Sequence, residues 1–96
     1  MAEDTNKTVT VRIEGRVHGV FYRAWTERTA RSLSLDGSVR NCRDGSVEAV
    51  FSGAPKQVDA MVKRCADGPP DAAVTDVRVT HEGGTVAPGF KVLGMG

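Results

Sequence analysis

The hydrophobic residues of this chain change their spacing in a fixed order, and that order restricts the fold more than any other feature. Apolar and polar residues alternate over 8–14, the period of a half-buried strand, and apolar residues then repeat at helical spacing over 22–34. A strand pair joined by Asp44-Gly45 follows, and after it a second helix that Pro55 opens. The predicted strands cover 8–14, 38–43, 46–52, 74–82 and 90–93, and the predicted helices begin at 22 and 55.

The order β-α-β-β-α-β with a terminal strand predicts an α+β fold of the ferredoxin-like, split βαβ type. In this fold an antiparallel sheet of four to five strands carries both helices on one face. The short last strand is expected at an edge. Because metal carriers, RNA binders, regulatory domains and enzymes all use this architecture, the fold alone does not predict an activity.

Length and composition limit the class of protein. The 96 residues are 40% hydrophobic and 26% charged, so we expect one domain over 1–96, with 1–7 flexible. Thirteen basic and 12 acidic side chains leave a formal charge of +1, which argues against an electrostatic nucleic-acid partner. With no recognisable leader or membrane-spanning run, and only two cysteines, we expect a cytoplasmic protein with reduced thiols.

The turn between the first strand and the first helix is a candidate anion site. Residues 15–20 contain two glycines, and Arg23 follows just inside the helix. Backbone N–H groups at a helix entrance can converge on an anion, and a guanidinium matches phosphate oxygens. Arg16 is expected to be peripheral. Glycine motifs are weakly specific, so an ordinary turn with a surface arginine is an equally good interpretation of the spacing alone.

Asn41, near the end of the second strand, is the second candidate. Its amide can accept a hydrogen bond from a water and donate another to a bound oxygen, which orients a nucleophile without changing charge. Asparagine is uncommon in strands. The alternative, an amide that bonds its own backbone beside a turn, is as compatible with the sequence.

The sequence lacks the residues that several other kinds of catalytic or metal-binding site require. A thiol phosphatase loop has an arginine six residues after its cysteine, but Cys42 and Cys65 are followed there by acidic residues, so both are expected to be packed thiols. His81-Glu82 is not continued as a zinc motif, and neither paired carboxylates for magnesium nor a Walker-type lysine occurs. The sequence therefore predicts no metal or other cofactor. An RNA-binding module is disfavoured by the 5% aromatic content.

Two longer stretches resemble the signatures of the acylphosphatase family. The first signature, aliphatic-x-Gly-x-Val-Gln-Gly-Val-x-Phe-Arg, stands here as Ile13-Glu14-Gly15-Arg16-Val17-His18-Gly19-Val20-Phe21-Tyr22-Arg23. The second stands as Gly37-Ser38-Val39-Arg40-Asn41-Cys42-Arg43-Asp44-Gly45-Ser46-Val47, with Gly53 after it. The departures are His18 for glutamine, Tyr22 for phenylalanine, and Ser38 for an aromatic residue. Because the two motifs stand in the family's order and spacing, they are far more specific than one glycine turn.

The resemblance implies metal-free hydrolysis of the carboxyl–phosphate bond of small acyl phosphates. By the same resemblance Arg23 binds the phosphate and Asn41 positions the attacking water. The loop that would bind phosphate consists of Gly15, Arg16, Val17, His18, Gly19 and Val20. Inorganic phosphate or sulfate would bind there as an anion ligand, and a monomer without nucleic-acid or membrane partners is expected. A non-catalytic anion-binding or RNA-binding module on the same fold is the alternative.

The departures raise two separate questions. His18 lies in the predicted loop, and histidine changes charge near neutral pH, so substrate affinity could follow its protonation. An outward-facing imidazole with no role is the simpler alternative. Ser38 affects packing beside Asn41 and acyl-group preference rather than the catalytic pair.

Overall fold

The computed structural model describes residues 6–96 and contains seven elements in the predicted order. The strands are β1 (Lys7–Arg16), β2 (Asp36–Asn41), β3 (Val47–Gly53), β4 (Ala73–Glu82) and β5 (Phe90–Val92), and the helices are α1 (Tyr22–Ser32) and α2 (Pro55–Cys65). Most of the segment expected to be flexible lies outside the described residues, but Lys7 belongs to β1 and its ammonium is 2.9 Å from the Asp59 carboxylate. No helix within 6–96 is long and apolar enough to cross a membrane.

The five strands form one sheet in the order β4-β1-β3-β2-β5. The prediction of a wholly antiparallel sheet is wrong at one edge, because β5 pairs with β2 in parallel. The reason is where β4 ends. Glu82 pairs with Val9, near the start of β1, and β2 also starts at this end of the sheet. A chain that crosses this end to the far edge re-enters running parallel to β2.

The strand β1 extends beyond residues 8–14, where apolar and polar residues alternate in the sequence. Gly15 and Arg16, which the sequence places in the turn, continue β1 by pairing with Val74 and Ala73 after a register shift. Gly15 has φ 119°, and a Cβ there would collide with the Ala73 carbonyl oxygen, so this close approach of β4 requires glycine. The boundary was missed because the partner strand lies far away in sequence.

One face of the sheet carries both helices. α1 packs on β2 and β5, and α2 packs on β1 and β3. Alternate residues of the central strands meet the helices in a single buried cluster, which includes Val9, Val11, Ile13, Val39, Val47, Ala49, Phe51, Tyr22, Ala30, Val58, Met61 and Cys65. Each fully buried aliphatic side chain contributes about 1.5–3 kcal/mol relative to an exposed one, so this cluster holds both helices on the sheet.

The opposite face of the sheet is polar and carries no helix. Its charged side chains form ion pairs. Arg78 with Glu14 and Arg40 with Glu48 pair across neighbouring strands, Arg12 with Glu14 and Arg78 with Asp76 pair along one strand, and Arg12 also pairs with Asp44 of the β2–β3 turn. The pair between Arg12 and Asp44 links the β2–β3 hairpin to β1 from the solvent side.

Candidate active site

The loop between β1 and α1 is anchored at both ends by buried valines. Val17 is 1% exposed and Val20 is 7% exposed, so both side chains lie in the core. Gly19 between them adopts φ 71°, a left-handed conformation that glycine reaches without steric cost. The backbone between the two valines therefore arches outward at the start of α1.

Phe21 ends this loop in an unusual conformation. It adopts φ 64°, while its side chain is 81% exposed. Its carbonyl oxygen accepts the first helical hydrogen bond, from the Trp25 N–H at 3.0 Å. Neither a side-chain cap nor an acidic residue in the first turn neutralises the N-terminal N–H groups of α1. This end of the helix therefore carries the partial positive charge that favours an anion.

Arg23 lies in the first turn of α1 and lines a cleft of about 650 Å³. Its Nη1 donates a hydrogen bond to the Leu93 carbonyl oxygen at 3.2 Å. Among residues 6–96 no carboxylate forms an ion pair with it. The guanidinium is thus held by a neutral acceptor, and most of its five N–H donors are left for a ligand.

Asn41 is the last residue of β2 and lines the same cleft as Arg23. Its backbone carbonyl accepts a hydrogen bond from the Gly96 N–H at 2.9 Å. Within the described chain, none of the side-chain hydrogen bonds involves the Asn41 amide. The alternative in which this amide bonds its own backbone is therefore not what the structure contains.

His18 does not face outward as the simpler alternative had it. Its Nε2 is 2.8 Å from the Ser46 carbonyl oxygen, and the ring is half-buried. Because a carbonyl oxygen only accepts, Nε2 carries the hydrogen. The hypothesis that protonation of His18 tunes affinity stays a prediction.

The other residues of the predicted loop divide into two groups. Val17 and Gly19 line the cleft with Arg23 and Asn41, whereas Gly15, Arg16 and Val20 do not. Arg16 is exposed within β1, in keeping with a peripheral position.

The cleft also contains residues that the sequence reasoning did not select. They are Phe21, Tyr22, Ala24, Glu27 and Val92. Val92 reaches the site because β5 pairs with β2, where it lies opposite Val39. No local sequence signal marks that contact. Phe21 could have been noticed as a bulky apolar residue directly beside a glycine turn.

The Tyr22 hydroxyl and the Cys65 thiol are unsuited to act as a nucleophile or a proton-transfer group. Burial raises the pKa of the Cys65 thiol to about 12, and burial raises the pKa of the Tyr22 hydroxyl far above its usual range. The Tyr22 hydroxyl donates to the Cys65 carbonyl oxygen at 2.6 Å. Both side chains therefore belong to the core, which confirms the interpretation of Cys65 as a packed thiol. Within 6–96 no group of three or more His, Cys, Asp or Glu side chains is arranged to hold a metal ion.

Known proteins match this chain along most of its length. Residues 9–92 match the family model described as Acylphosphatase. An acylphosphatase of Rhodospirillum rubrum is 52% identical over 85 residues, which are 88% of this chain and 93% of that protein. The solved acylphosphatase from Coxiella burnetii superposes with a TM-score of 0.84 at 32% identity, covering 92% of this chain and 93% of that one. The acylphosphatase from Bacillus subtilis superposes with a TM-score of 0.85 at 28% identity, covering 93% and 99%. By sequence and by fold, the chain belongs to the acylphosphatase family of enzymes.

Proposed function

We propose that this enzyme hydrolyses the carboxyl–phosphate bond of small acyl phosphates in the cleft beside α1, giving a carboxylate and inorganic phosphate. Arg23 binds the phosphate and Asn41 positions the attacking water. One observation carries the proposal: Arg23, on a helix, and Asn41, on a strand that follows it, line the same cleft. Neither has its side-chain donors saturated by the described protein.

The phosphate end of the substrate lies at the loop and the start of α1. The arched backbone around Gly19 and the uncapped first turn offer N–H donors, and Arg23 adds a charged fork. A loose phosphoryl-transfer transition state spreads charge over the phosphoryl oxygens, so donors fixed in advance stabilise it without reorganisation. Inorganic phosphate, or sulfate, binds the same donors as a competitive ligand.

The nucleophile is a water held by Asn41. The amide oxygen accepts a hydrogen bond from the water, and the amide nitrogen donates to a phosphoryl oxygen, so the water lies in line with the leaving carboxylate. The only carboxylate that lines the described cleft is Glu27, and its Oε2 is 3.0 Å from Nη2 of Arg31. We therefore assign the water proton to the substrate's own phosphate, since the carboxylate leaving group needs no protonation.

The acyl end of the substrate meets apolar side chains. Phe21 and Val92, which is 42% exposed, both line the cleft. An open apolar wall tolerates acyl groups of different size, while the phosphate end supplies the specific contacts. Relaxed acyl specificity follows from this division.

We also propose that the enzyme is a cytoplasmic monomer without a nucleic-acid partner. Cys42 and Cys65 are free thiols, as a reducing compartment maintains them. The β5 edge is only three residues long and carries the exposed Lys91, which discourages strand pairing between copies. Phe51 and Phe90, the aromatic residues of the described strands, are buried and stack at 5.9 Å between ring centroids, so neither is available to stack on RNA bases.

Phosphate release from benzoyl phosphate, measured without divalent metal, tests the function. Arg23→Gln and Asn41→Ala are expected to lower kcat/KM by about 10²-fold or more each, because positioning and preorganised charge commonly contribute that much. Arg28→Gln is the matched control, since Arg28 is an exposed arginine of the same helix outside this cleft. Wild-type turnover no faster than spontaneous hydrolysis would leave only an anion-binding module. Full activity in folded Arg23→Gln and Asn41→Ala would refute the residue assignment alone.

A further inference from the structure

The carbonyl oxygen of Ser46 accepts one hydrogen bond from the β1–α1 loop and one from the residue that follows β2. One comes from Nε2 of His18, in the phosphate-binding loop, at 2.8 Å. The other comes from the backbone N–H of Cys42 at 2.8 Å. Cys42 directly follows Asn41. A single oxygen therefore connects the loop assigned to phosphate with the residue next to the one assigned to water.

The acceptor itself is held independently of His18. Ser46 is 3% exposed, and both its N–H and its Oγ donate to Oδ1 of Asp44, at 3.0 and 2.6 Å. The other carboxylate oxygen of Asp44 is ion-paired with Arg12 of β1. The hairpin is thus fixed to the sheet, whereas residues 18 and 19 of the loop lie between the two buried valines. His18 is the only side chain of residues 17–20 that hydrogen-bonds the described hairpin.

We propose that His18 is a positioning residue, which sets the distance between bound phosphate and the water on Asn41 by holding the loop to the Ser46 carbonyl. The inference rests on the proposed function of Arg23 and Asn41. His18 does not touch the reacting atoms. It acts on catalysis by fixing one half of the site against the other, and displacements of about 1 Å between reacting groups can cost 10²-fold in rate.

The requirement at position 18 is a hydrogen-bond donor at a particular reach. The Nε2–H donor is present in one neutral tautomer and in the imidazolium, so protonation at Nδ1 leaves the contact in place. A glutamine side chain places its Nε2 the same number of bonds from Cα. An asparagine side chain is one bond shorter and cannot reach the oxygen without moving the loop.

The test compares His18→Gln with His18→Asn, using benzoyl phosphate as substrate and inorganic phosphate as inhibitor. His18→Asn is expected to lower kcat by roughly 10- to 100-fold, with the Ki of phosphate unchanged, because Arg23 and the loop donors still bind the ground state. His18→Gln is expected to retain wild-type kcat. His81→Asn, which removes the exposed histidine of β4, is the matched control. NMR order parameters of the backbone N–H groups of residues 18 and 19 report how firmly the loop is held, without relying on activity.

Three results would overturn the inference. The first is an unchanged kcat per folded molecule in His18→Asn, whether or not thermal stability falls. The second is a kcat in His18→Gln as low as in His18→Asn. The third is a kcat in His81→Asn as low as in His18→Asn. An inactive wild type would instead refute the proposed function. In that case lower order parameters for residues 18 and 19 in His18→Asn than in His18→Gln would still support the contact, and equal values would refute it.

Discussion

Arg23 donates a hydrogen bond from Nη1 to the carbonyl oxygen of Leu93 at 3.2 Å. Leu93 follows β5, the strand whose parallel pairing was not predicted. The helix that carries the arginine proposed to bind phosphate is thus linked to the edge strand beside β2. This neutral contact orients the guanidinium and leaves its charge uncompensated for an anion.

Arg23→Lys is expected to raise KM and lower kcat together. A lysine keeps the positive charge, but its ammonium is a point charge and cannot both contact Leu93 and form a planar fork with phosphate. Steady-state kinetics with benzoyl phosphate measure the effect. Arg28→Lys, on the exposed side of α1, controls for effects of an arginine-to-lysine exchange outside the cleft. Wild-type kinetics in Arg23→Lys would show that charge alone suffices.

Glu27→Gln is expected to keep kcat. Its carboxylate is paired with Arg31, one helical turn away, and exposed pairs of this kind contribute less than about 1 kcal/mol to stability. The pH profile of kcat should be the same for the variant and wild type. If kcat falls by about 10²-fold while the variant stays folded, Glu27 is the general base and the substrate's phosphate is not.

Phe21→Gly is expected to raise the free energy of unfolding by about 1 kcal/mol. Glycine removes the cost of left-handed backbone in a bulky residue, about 1–3 kcal/mol, but part of this gain is offset because glycine loses more conformational entropy on folding. Phe21→Ala retains the strain and controls for loss of the exposed ring. Urea unfolding measures the difference between the two variants.

The same two variants test whether Phe21 contacts the acyl group of the substrate. Both should raise KM for benzoyl phosphate more than for acetyl phosphate, because only the larger acyl group reaches Phe21. Equal changes with both substrates would remove Phe21 from the acyl site.

Stability is expected to fall at alkaline pH through Tyr22 and Cys65. Burial raises both pKa values in the folded state, that of Cys65 to about 12. The unfolded chain therefore loses these protons first. The contribution of Cys65 is complete below about pH 8.5 and that of Tyr22 below about pH 10, and each decreases above that pH by up to about 1.4 kcal/mol per pH unit. Urea unfolding between pH 7 and about 11 should show a shallower slope above about pH 8.5 for Cys65→Ala and above about pH 10 for Tyr22→Phe. Slopes identical to wild type would mean that these groups ionise equally in both states.

Local sequence patterns predicted the individual strands and helices, whereas strand boundaries and the pairing of the last strand depend on residues distant in sequence. The periods around Val9 and Val58 identify a strand and a helix because burial on one face repeats along each element. The extension of β1 through Arg16 and the parallel placement of Val92 depend on strands distant in sequence. No short-range signal could place them.

The same distinction between local patterns and long-range contacts applies to the candidate site. Arg23 and Asn41 were selected from residue type and motif, and the fold brings both to one cleft. The contact of His18 with Ser46 joins residues 28 positions apart, so it could not be derived from the loop alone. Without it, the sequence favoured an outward-facing ring.

The division of labour between Arg23 and Asn41 is the central claim, and kcat measured beside the Ki of inorganic phosphate tests it most directly. Arg23→Gln is expected to raise the Ki, because it removes a phosphate donor. Asn41→Ala is expected to raise the Ki by less than about 10-fold, because it removes one neutral donor to phosphate, while kcat falls by about 10²-fold or more, because the water is used only in the reaction. An Asn41→Ala variant that raises the Ki as much as Arg23→Gln, or that retains kcat, would contradict the account.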